Sequence, residues 1–243
     1  MRLDIYLVAE GIVRSRGRAR DMISAGKISV NGRPAAKGSL ALKEDDVVTV
    51  LEADHPYVSR SALKLKGLLD AVPLRLEGKT VVDIGSSTGG FTQVSLEYGA
   101  GHVYAVDVGT AQLDEALRED ARVTVCENLD AREITVDRFD RFPTALVADV
   151  SFISLQKVLP PVLAALNTVD TLCLLVKPQF ELDKSAIGKG GLVKNEEDRL
   201  RALRDVGDCI ETLGFQVLYD MPSALAGADG NEEFMLYAKK TAP

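Results

Sequence analysis

Directly after the apolar run Thr80-Val81-Val82, the chain reads Asp83-Ile84-Gly85-Ser86-Ser87-Thr88-Gly89-Gly90-Phe91. A strand, a glycine loop and a helix in that order suit a nucleotide-like ligand, because the missing Cβ atoms of Gly85, Gly89 and Gly90 allow close approach to the backbone. The spacing argues against two common loops: neither the GxGxxG of a dinucleotide site nor the GxxxxGK of a P-loop occurs here. Asp107 follows 24 positions after Asp83, at the end of the next apolar run. An acid at that point can accept hydrogen bonds from both hydroxyls of an adenosine ribose. Nucleotide dehydrogenases and methyltransferases both use one, and an acidic strand end can also simply cap a helix.

The elements that must position these residues are legible from periodicity. Strand-like runs occur at Thr80 to Ile84, Val103 to Val108, Val123 to Val125, Ala145 to Val150, Thr171 to Val176, Phe215 to Tyr219 and Phe234 to Ala238. Helices are predicted at Ser59 to Leu69, from Phe91, from Ala111, from near Ser154, and over Glu196 to Leu213. Seven apolar strands separated by helices predict an α/β fold with a mostly parallel sheet covered on both faces, its final strands forming an antiparallel edge hairpin. Asp149 and Lys177 then fall at C-terminal strand ends, the side of such a sheet where ligands bind.

The first 50 residues follow a different pattern. Two short helices are expected, Leu3 to Glu10 and Ser15 to Ala25, with Ser15 as N-cap and Gly26 as stop. Ile28-Ser29-Val30 then runs into the turn pair Asn31-Gly32, and Val47 to Leu51 is β-branched. Residues 1 to 37 hold eight Lys or Arg against three Asp or Glu, whereas the rest holds 21 against 33. A basic head on an acidic body suits contact with a polyanion, since phosphate contacts release condensed counterions; a solvated charged face is the alternative. If helical, Arg14 and Arg18 lie on one side and Arg16 and Arg20 on the other.

Composition narrows the class further. The 243 residues, 46% apolar and 27% charged, suit one medium and one small domain. The longest apolar runs fall far short of the roughly 20 residues of a membrane span, and Arg2 and Asp4 already interrupt the start. Cys126, Cys173 and Cys209 lack CxxC spacing and are expected to be buried thiols in a reducing, cytoplasmic setting. His55 and His102 have no metal-ligand partner nearby in sequence and are assigned structural positions, with no metal expected.

The combination of Ser15-Arg16, Ala19, Ile23, Gly26, Ile28 and Val30-Asn31-Gly32 resembles the S4 RNA-binding domain, which implies that Arg14, Arg16, Arg18 and Arg20 contact structured RNA, Arg16 and Arg20 foremost. The DxGxxxGG loop resembles the cofactor loop of class I methyltransferases. That resemblance implies a Rossmann-like, seven-stranded domain binding S-adenosyl-L-methionine through Asp83, Gly85, Ser86, Ser87, Thr88, Gly89, Gly90, Phe91 and Asp107, with Asp130 near the adenine. Lys64, Asp149, Lys177 and Glu233 resemble the Lys-Asp-Lys-Glu set of 2′-O-methyltransferases. With Gly188-Lys189-Gly190-Gly191 and the S4-like head, these segments resemble the TlyA family across nearly the whole chain.

The implied organisation is an S4-like domain over 1–53, a linker over 54–58 and an FtsJ-like methyltransferase domain over 59–243. The implied function is 2′-O-methylation of cytidine ribose in ribosomal RNA, with ribosomal RNA or a ribosomal subunit as partner. Lys177 would be the general base, oriented by Asp149 and Glu233, with Lys64 steering the hydroxyl or a phosphate. A lysine base must first lose a proton, which a neighbouring cation favours and neighbouring carboxylates oppose. The glycine stretch at 188–191 reads either as a loop that closes over RNA or as an exposed turn. A non-catalytic RNA-binding factor on the same fold is the competing function. A cytolysin, suggested by the haemolysin label of some family members, lacks any spanning or long amphipathic segment.

Overall fold

Leu3 and Leu7 are one helical turn apart and fully buried, and the small N-terminal core forms around them. The computed structural model describes residues 1–13, 15–51, 56–227 and 229–241. Arg14 and, of the expected linker, Asp54 and His55 lie outside the described residues. The chain divides into two compact units, Met1–Pro56 and Tyr57–Pro243.

In the first unit, α1 (Leu3–Ala9) and α2 (Arg16–Ser24) pack on a three-stranded antiparallel sheet of β1 (Ile28–Val30), β2 (Arg33–Pro34) and β3 (Val48–Val50), in the order β2-β1-β3. Ser15 starts α2 as predicted: its Oγ accepts from the Arg18 amide at 3.3 Å, satisfying a donor that the first helical turn leaves open. Gly26 ends it with φ at +71°. Asn31 and Gly32 both take positive φ in the two-residue turn between β1 and β2, and the Asn31 side chain also bonds Asp46 and the Val47 amide, each at 2.8 Å.

The second unit contains α3 (Ala62–Ala71), β4 (Thr80–Ile84), α4 (Gly90–Glu97), β5 (His102–Val106), α5 (Glu115–Arg118), β6 (Val123–Cys126) and β7 (Ala145–Ala148). It continues with α6 (Leu155–Ala165), β8 (Thr171–Val176), α7 (Pro178–Glu181), α8 (Glu196–Thr212), β9 (Phe215–Pro222) and β10 (Phe234–Lys240). The seven strands run in the order β6-β5-β4-β7-β8-β10-β9; the first five are parallel and β10 is antiparallel to both neighbours. Every residue of β5, β7 and β8 is buried, as a sheet covered on both faces requires. Along β8, Leu172, Leu174 and Val176 enter one core while Cys173 and Leu175 enter the other. After β6 the chain crosses back to β7 on the far side of β4, so the C-terminal ends of β4 and β7 flank a crevice.

Three local expectations require correction. No helix begins at Ala111: the Glu127 carboxylate takes the amides of Ala111, Gln112 and Leu113 at 2.8 to 3.1 Å, and α5 starts only at Glu115 behind the Asp114 cap. Burial pushes the Glu127 pKa up, but those amides and Arg118 outweigh it and hold the pKa down at about 2. The helix expected from Ser59 begins at Ala62, because the Ser61 amide bonds Ser59 Oγ. Of the cysteines, only Cys173 is fully buried, its thiol pushed up to about 12 by desolvation, whereas Cys126 and Cys209 are partly exposed.

Candidate active site

The crevice at the strand ends is a cavity of about 450 Å³. It is lined from β4 by Ile84, Gly85 and Ser87, from β5 by Val106 to Val108, from β6 by Leu129 to Ala131 and from β7 by Asp149 to Ile153. Gly85 is required twice over: its φ is +80°, and a Cβ there would stand 2.7 Å from the Asp149 carbonyl oxygen. Asp107 ties two loops together, accepting from the Ser87 amide at 2.8 Å and the Gly109 amide at 2.7 Å. A carboxylate offers about four acceptor positions, so both oxygens keep capacity for hydroxyls in the cavity. Asp130 also lines the cavity, but its carboxylate is engaged by the Arg132 amide at 2.9 Å and the Arg132 guanidinium at 2.6 Å.

A smaller space of about 160 Å³ adjoins it, lined by Ser59, Ser61, Ser86, Phe91 and Lys177 and sharing Gly85, Ser87, Asp149 and Ser151 with the larger one. Asp83, Thr88, Gly89 and Gly90, expected at the cofactor, line neither cavity. Each makes contacts within the fold. Asp83 is fully buried and accepts from Thr92 Oγ1 at 2.6 Å, while its other oxygen has no hydrogen-bond partner among the described residues. Desolvation pushes its carboxyl up to about 7. A Cβ on Gly89 would stand 2.3 Å from Leu117 Cδ1, and one on Gly90 would stand 2.3 Å from Ser61 Oγ, so these glycines admit α5 and the start of α3 to the loop. Thr88 contributes its carbonyl to the Asp114 amide at 3.2 Å.

Two ion pairs organise the charged residues. Lys177 Nζ lies 2.6 Å from Asp149 and donates to Ser151 Oγ at 2.9 Å, at the ends of β8 and β7. Lys64 Nζ from α3 meets Glu233 at 2.5 Å, with both side chains buried. Glu233 therefore holds Lys64 and not Lys177, to which it forms no ion pair, so the two acids are divided between the two lysines. The antiparallel register that sets Phe234 opposite Val176 brings Glu233 and Lys177 to neighbouring positions at one end of the sheet. Lys64 and Glu233 line neither cavity. Gly227 makes room for the acid, since a Cβ there would stand 2.6 Å from Glu233 Oε1.

Several residues at the site went unassigned in the sequence. Phe152 is 92% exposed, has φ at +64°, and lines the larger cavity with its ring 5.2 Å from that of Phe180. A bulky side chain in the left-handed region costs about 1–2 kcal/mol. The signal was present in Asp149-Val150-Ser151-Phe152, where only the acid was given a role. Ser151 and Glu181 are the others; Glu181 accepts from Ser154 Oγ at 2.6 Å and the Leu155 amide at 2.8 Å, fixing the start of α6 beside the cavity. The glycine stretch forms a turn over Lys189–Gly191 anchored by buried Asn231, which donates to the Gly191 carbonyl and accepts from the Val193 amide, both at 2.9 Å.

In the first unit, Arg16 and Arg20 share one face of α2, as their spacing predicts, and both turn toward Asp4. His102 is held by Thr124 at 2.9 Å within the sheet.

Residues 57–240 match the FtsJ-like methyltransferase family, and residues 1–48 match the S4 domain. The chain is 40% identical, over 98% of its length and 89% of the relative's, to the 16S/23S rRNA (cytidine-2′-O)-methyltransferase TlyA of Mycobacterium tuberculosis. It is 38% identical to Hemolysin A of Brachyspira hyodysenteriae, covering 98% of this chain and 99% of that one. A solved structure described as a hemolysin of Streptococcus thermophilus superposes with a TM-score of 0.79 at 36% identity, over 99% of this chain and 88% of the other. Among the described residues, no helix is long and apolar enough to cross a membrane. The sequence likeness, the S4 head and the seven-stranded sheet with its cavity at the strand ends agree: this chain belongs to the TlyA family, in which an S4 domain is joined to an FtsJ-like methyltransferase domain.

Proposed function

We propose that this protein is an S-adenosylmethionine-dependent methyltransferase that modifies the 2′-hydroxyl of cytidine ribose in ribosomal RNA. One observation carries the reading: the cavity at the strand ends opens beside the Lys177–Asp149 pair, the two spaces sharing Gly85, Ser87, Asp149 and Ser151. The residues present fit an adenosine cofactor. Asp107 supplies acceptors for the ribose hydroxyls, Leu129, Val150, Ile153 and Val158 supply apolar walls, and the bare Cα of Gly85 leaves room at the centre. When bound, the cofactor supplies a methyl group already activated by its sulfonium charge.

The chain's own residues handle the nucleophile. A ribose hydroxyl attacks well only as its proton is accepted, and Lys177 is the basic residue lining the smaller space, paired with Asp149, which both spaces share. With the cofactor bound, Lys177, once it has released its own proton to solvent, would accept the 2′-hydroxyl proton while the 2′-oxygen took the methyl group and the sulfur–carbon bond broke to leave a neutral thioether; Asp149 at 2.6 Å would stabilise the ammonium that results. Ser151 at 2.9 Å fixes the direction of Nζ. Glu233 holds Lys64 in place, and that buried pair sets the field beside the end of β8. Phe152 offers a flat, exposed face for the target base at the rim. On this reading the enzyme works in the cytoplasm, where ribosomal RNA is found.

The test is transfer of radiolabelled methyl groups to ribosomal RNA transcripts and to isolated ribosomal subunits, followed by mapping of 2′-O-methyl positions. The expected result is stoichiometric label on cytidine ribose. Calorimetry showing tight NAD binding with no response to S-adenosylmethionine would overturn the proposal.

A further inference from the structure

Gln112 lines the larger cavity from a loop with no regular secondary structure of its own. Its side chain folds back over Gly109: a Cβ on that glycine would stand 2.8 Å from Gln112 Nε2, 2.9 Å from Gln112 Cγ and 3.0 Å from Asp107 Oδ1. The Gln112 carboxamide and the Asp107 carboxylate thus approach the same point, which only the bare Cα of Gly109 leaves open.

This loop is held from outside. Glu127, directly after β6, accepts the Ala111 amide on one oxygen at 2.8 Å and the amides of Gln112 and Leu113 on the other at 2.8 and 3.1 Å. Arg118 Nη2 donates to the same carboxylate at 2.7 Å, and the Glu127 side chain is only 10% exposed. Hydrogen bonds to an ionised acceptor are the strong kind, so this set fixes the loop firmly. The next residue adds to it: the Asn128 amide donates to the Gly109 carbonyl at 3.0 Å, and Thr110 Oγ1 donates to Asn128 Oδ1 at 2.5 Å. Ala111 takes φ at +51°, a left-handed conformation that an alanine keeps only where its surroundings over-determine it.

The chemistry beside Asp107 explains what such a loop could supply. A carboxylate only accepts, so a ribose hydroxyl that donates to Asp107 keeps its own lone pairs unsatisfied, whereas a carboxamide brings two N–H donors. A donor next to the acid therefore matches a hydroxyl pair on both counts. We propose that Gln112 is a further cofactor-contacting residue, its amide donating to a ribose hydroxyl that itself donates to Asp107, and that Glu127 is the positioning residue that holds the Gln112 loop over the site. This rests on the cofactor reading above and adds to it one contact and the group that orients it.

The test is calorimetry of the full chain with S-adenosylhomocysteine and with its 2′,3′-dideoxy analogue, accompanied by a thermal melt of each variant. Gln112 is exposed, so its substitution leaves the fold intact. Gln112→Ala should weaken binding of S-adenosylhomocysteine by about fivefold, the share of one hydrogen bond, and binding of the dideoxy analogue by less than about twofold. Gln112→Glu keeps the shape and an acceptor, but it removes the donor and sets a second negative charge beside Asp107; its loss should be at least as large. Glu127→Gln should also weaken S-adenosylhomocysteine by about fivefold, and adding Gln112→Ala to it should cost little more, because the one residue acts through the other.

Wild-type affinity for S-adenosylhomocysteine in Gln112→Ala or Gln112→Glu overturns the inference. Equal weakening toward both ligands does so as well, since a loop that merely collapses does not distinguish a ribose from its dideoxy form. Losses that add fully in the double variant overturn the positioning role of Glu127. Should Glu127→Gln not fold, Arg118→Met loosens the same carboxylate from a part-exposed position and carries the same double-variant comparison. A wild-type chain that binds neither S-adenosylmethionine nor S-adenosylhomocysteine overturns the cofactor reading and this inference together, whereas a wild-type chain that binds both, with variants that bind equally well, overturns this inference alone.

Discussion

The Lys64 ammonium and the Glu233 carboxylate meet at 2.5 Å although 169 positions separate them in the chain. Removing one member of a buried pair strands the other charge, so Glu233→Ala should cost about 3–5 kcal/mol of stability by urea denaturation. Replacing both, as Lys64→Met with Glu233→Leu, should recover most of that loss, since a well-packed apolar pair replaces two desolvated charges. Methyl transfer should stay lost in both proteins. An active double variant would reduce the pair to a structural role.

Lys177→Ala should lower single-turnover methyl transfer by about 10²- to 10⁴-fold, the range for a general base, while leaving cofactor affinity close to wild type. Asp149→Ala should follow with a smaller loss. Combining the two should add little, because residues 2.6 Å apart that act on one proton are not additive. Near wild-type transfer by Lys177→Ala would leave positioning as the main source of rate.

Phe152 tests recognition of the target base. At 92% exposure its truncation should change folding stability by no more than about 0.5 kcal/mol. Phe152→Ala should nonetheless reduce transfer by about tenfold, the loss expected from one base–aromatic stack, and Phe152→Tyr should restore it. Equal rates for the alanine and wild-type proteins would show that the ring meets no base.

Asp83 gives a pH dependence. Burial raises its carboxyl to about 7 in the folded protein, above the ordinary value of about 3.9 that it takes when unfolded. The native state therefore binds more protons between those values, and stability falls as pH rises from about 4 to about 7, then levels. Asp83→Asn should remove that slope and gain up to about 4 kcal/mol relative to wild type at pH 8. Thermal melts from pH 4 to pH 8 would reveal it; parallel curves for the two proteins would show that Asp83 ionises without cost.

Much of the architecture was legible along the chain because its determinants are local. Alternating apolar runs specify strands, and Ser15, Gly26 and Asn31-Gly32 carry the capping and turn chemistry that starts and stops elements within a few residues. The DxGxxxGG loop and Asp107 were readable for the same reason. Lys64, Asp149, Lys177 and Glu233 were singled out by likeness to a family, and their partners were not readable in that way. Pairing Glu233 with Lys64 depends on how β10 registers against β8 and on α3 lying near them.

The misplaced details share one cause. Ala111 begins an acceptable helix by propensity, but Glu127, 16 positions on, captures the amides such a helix would need. Within the fold Asp83 also anchors Thr92 and Gly89 also admits Leu117, contacts that no neighbour in the chain announces. By itself the sequence determined the order of elements, the basic head and the residue types at the strand ends, since these follow from neighbours in the chain. Only the tertiary structure decided which lysine each acid holds, which loop residues face the cavity and that Arg2, Arg16 and Arg20 share Asp4. Hydrogen bonds and ion pairs act over about 3 Å in space, whatever the separation of their partners in sequence.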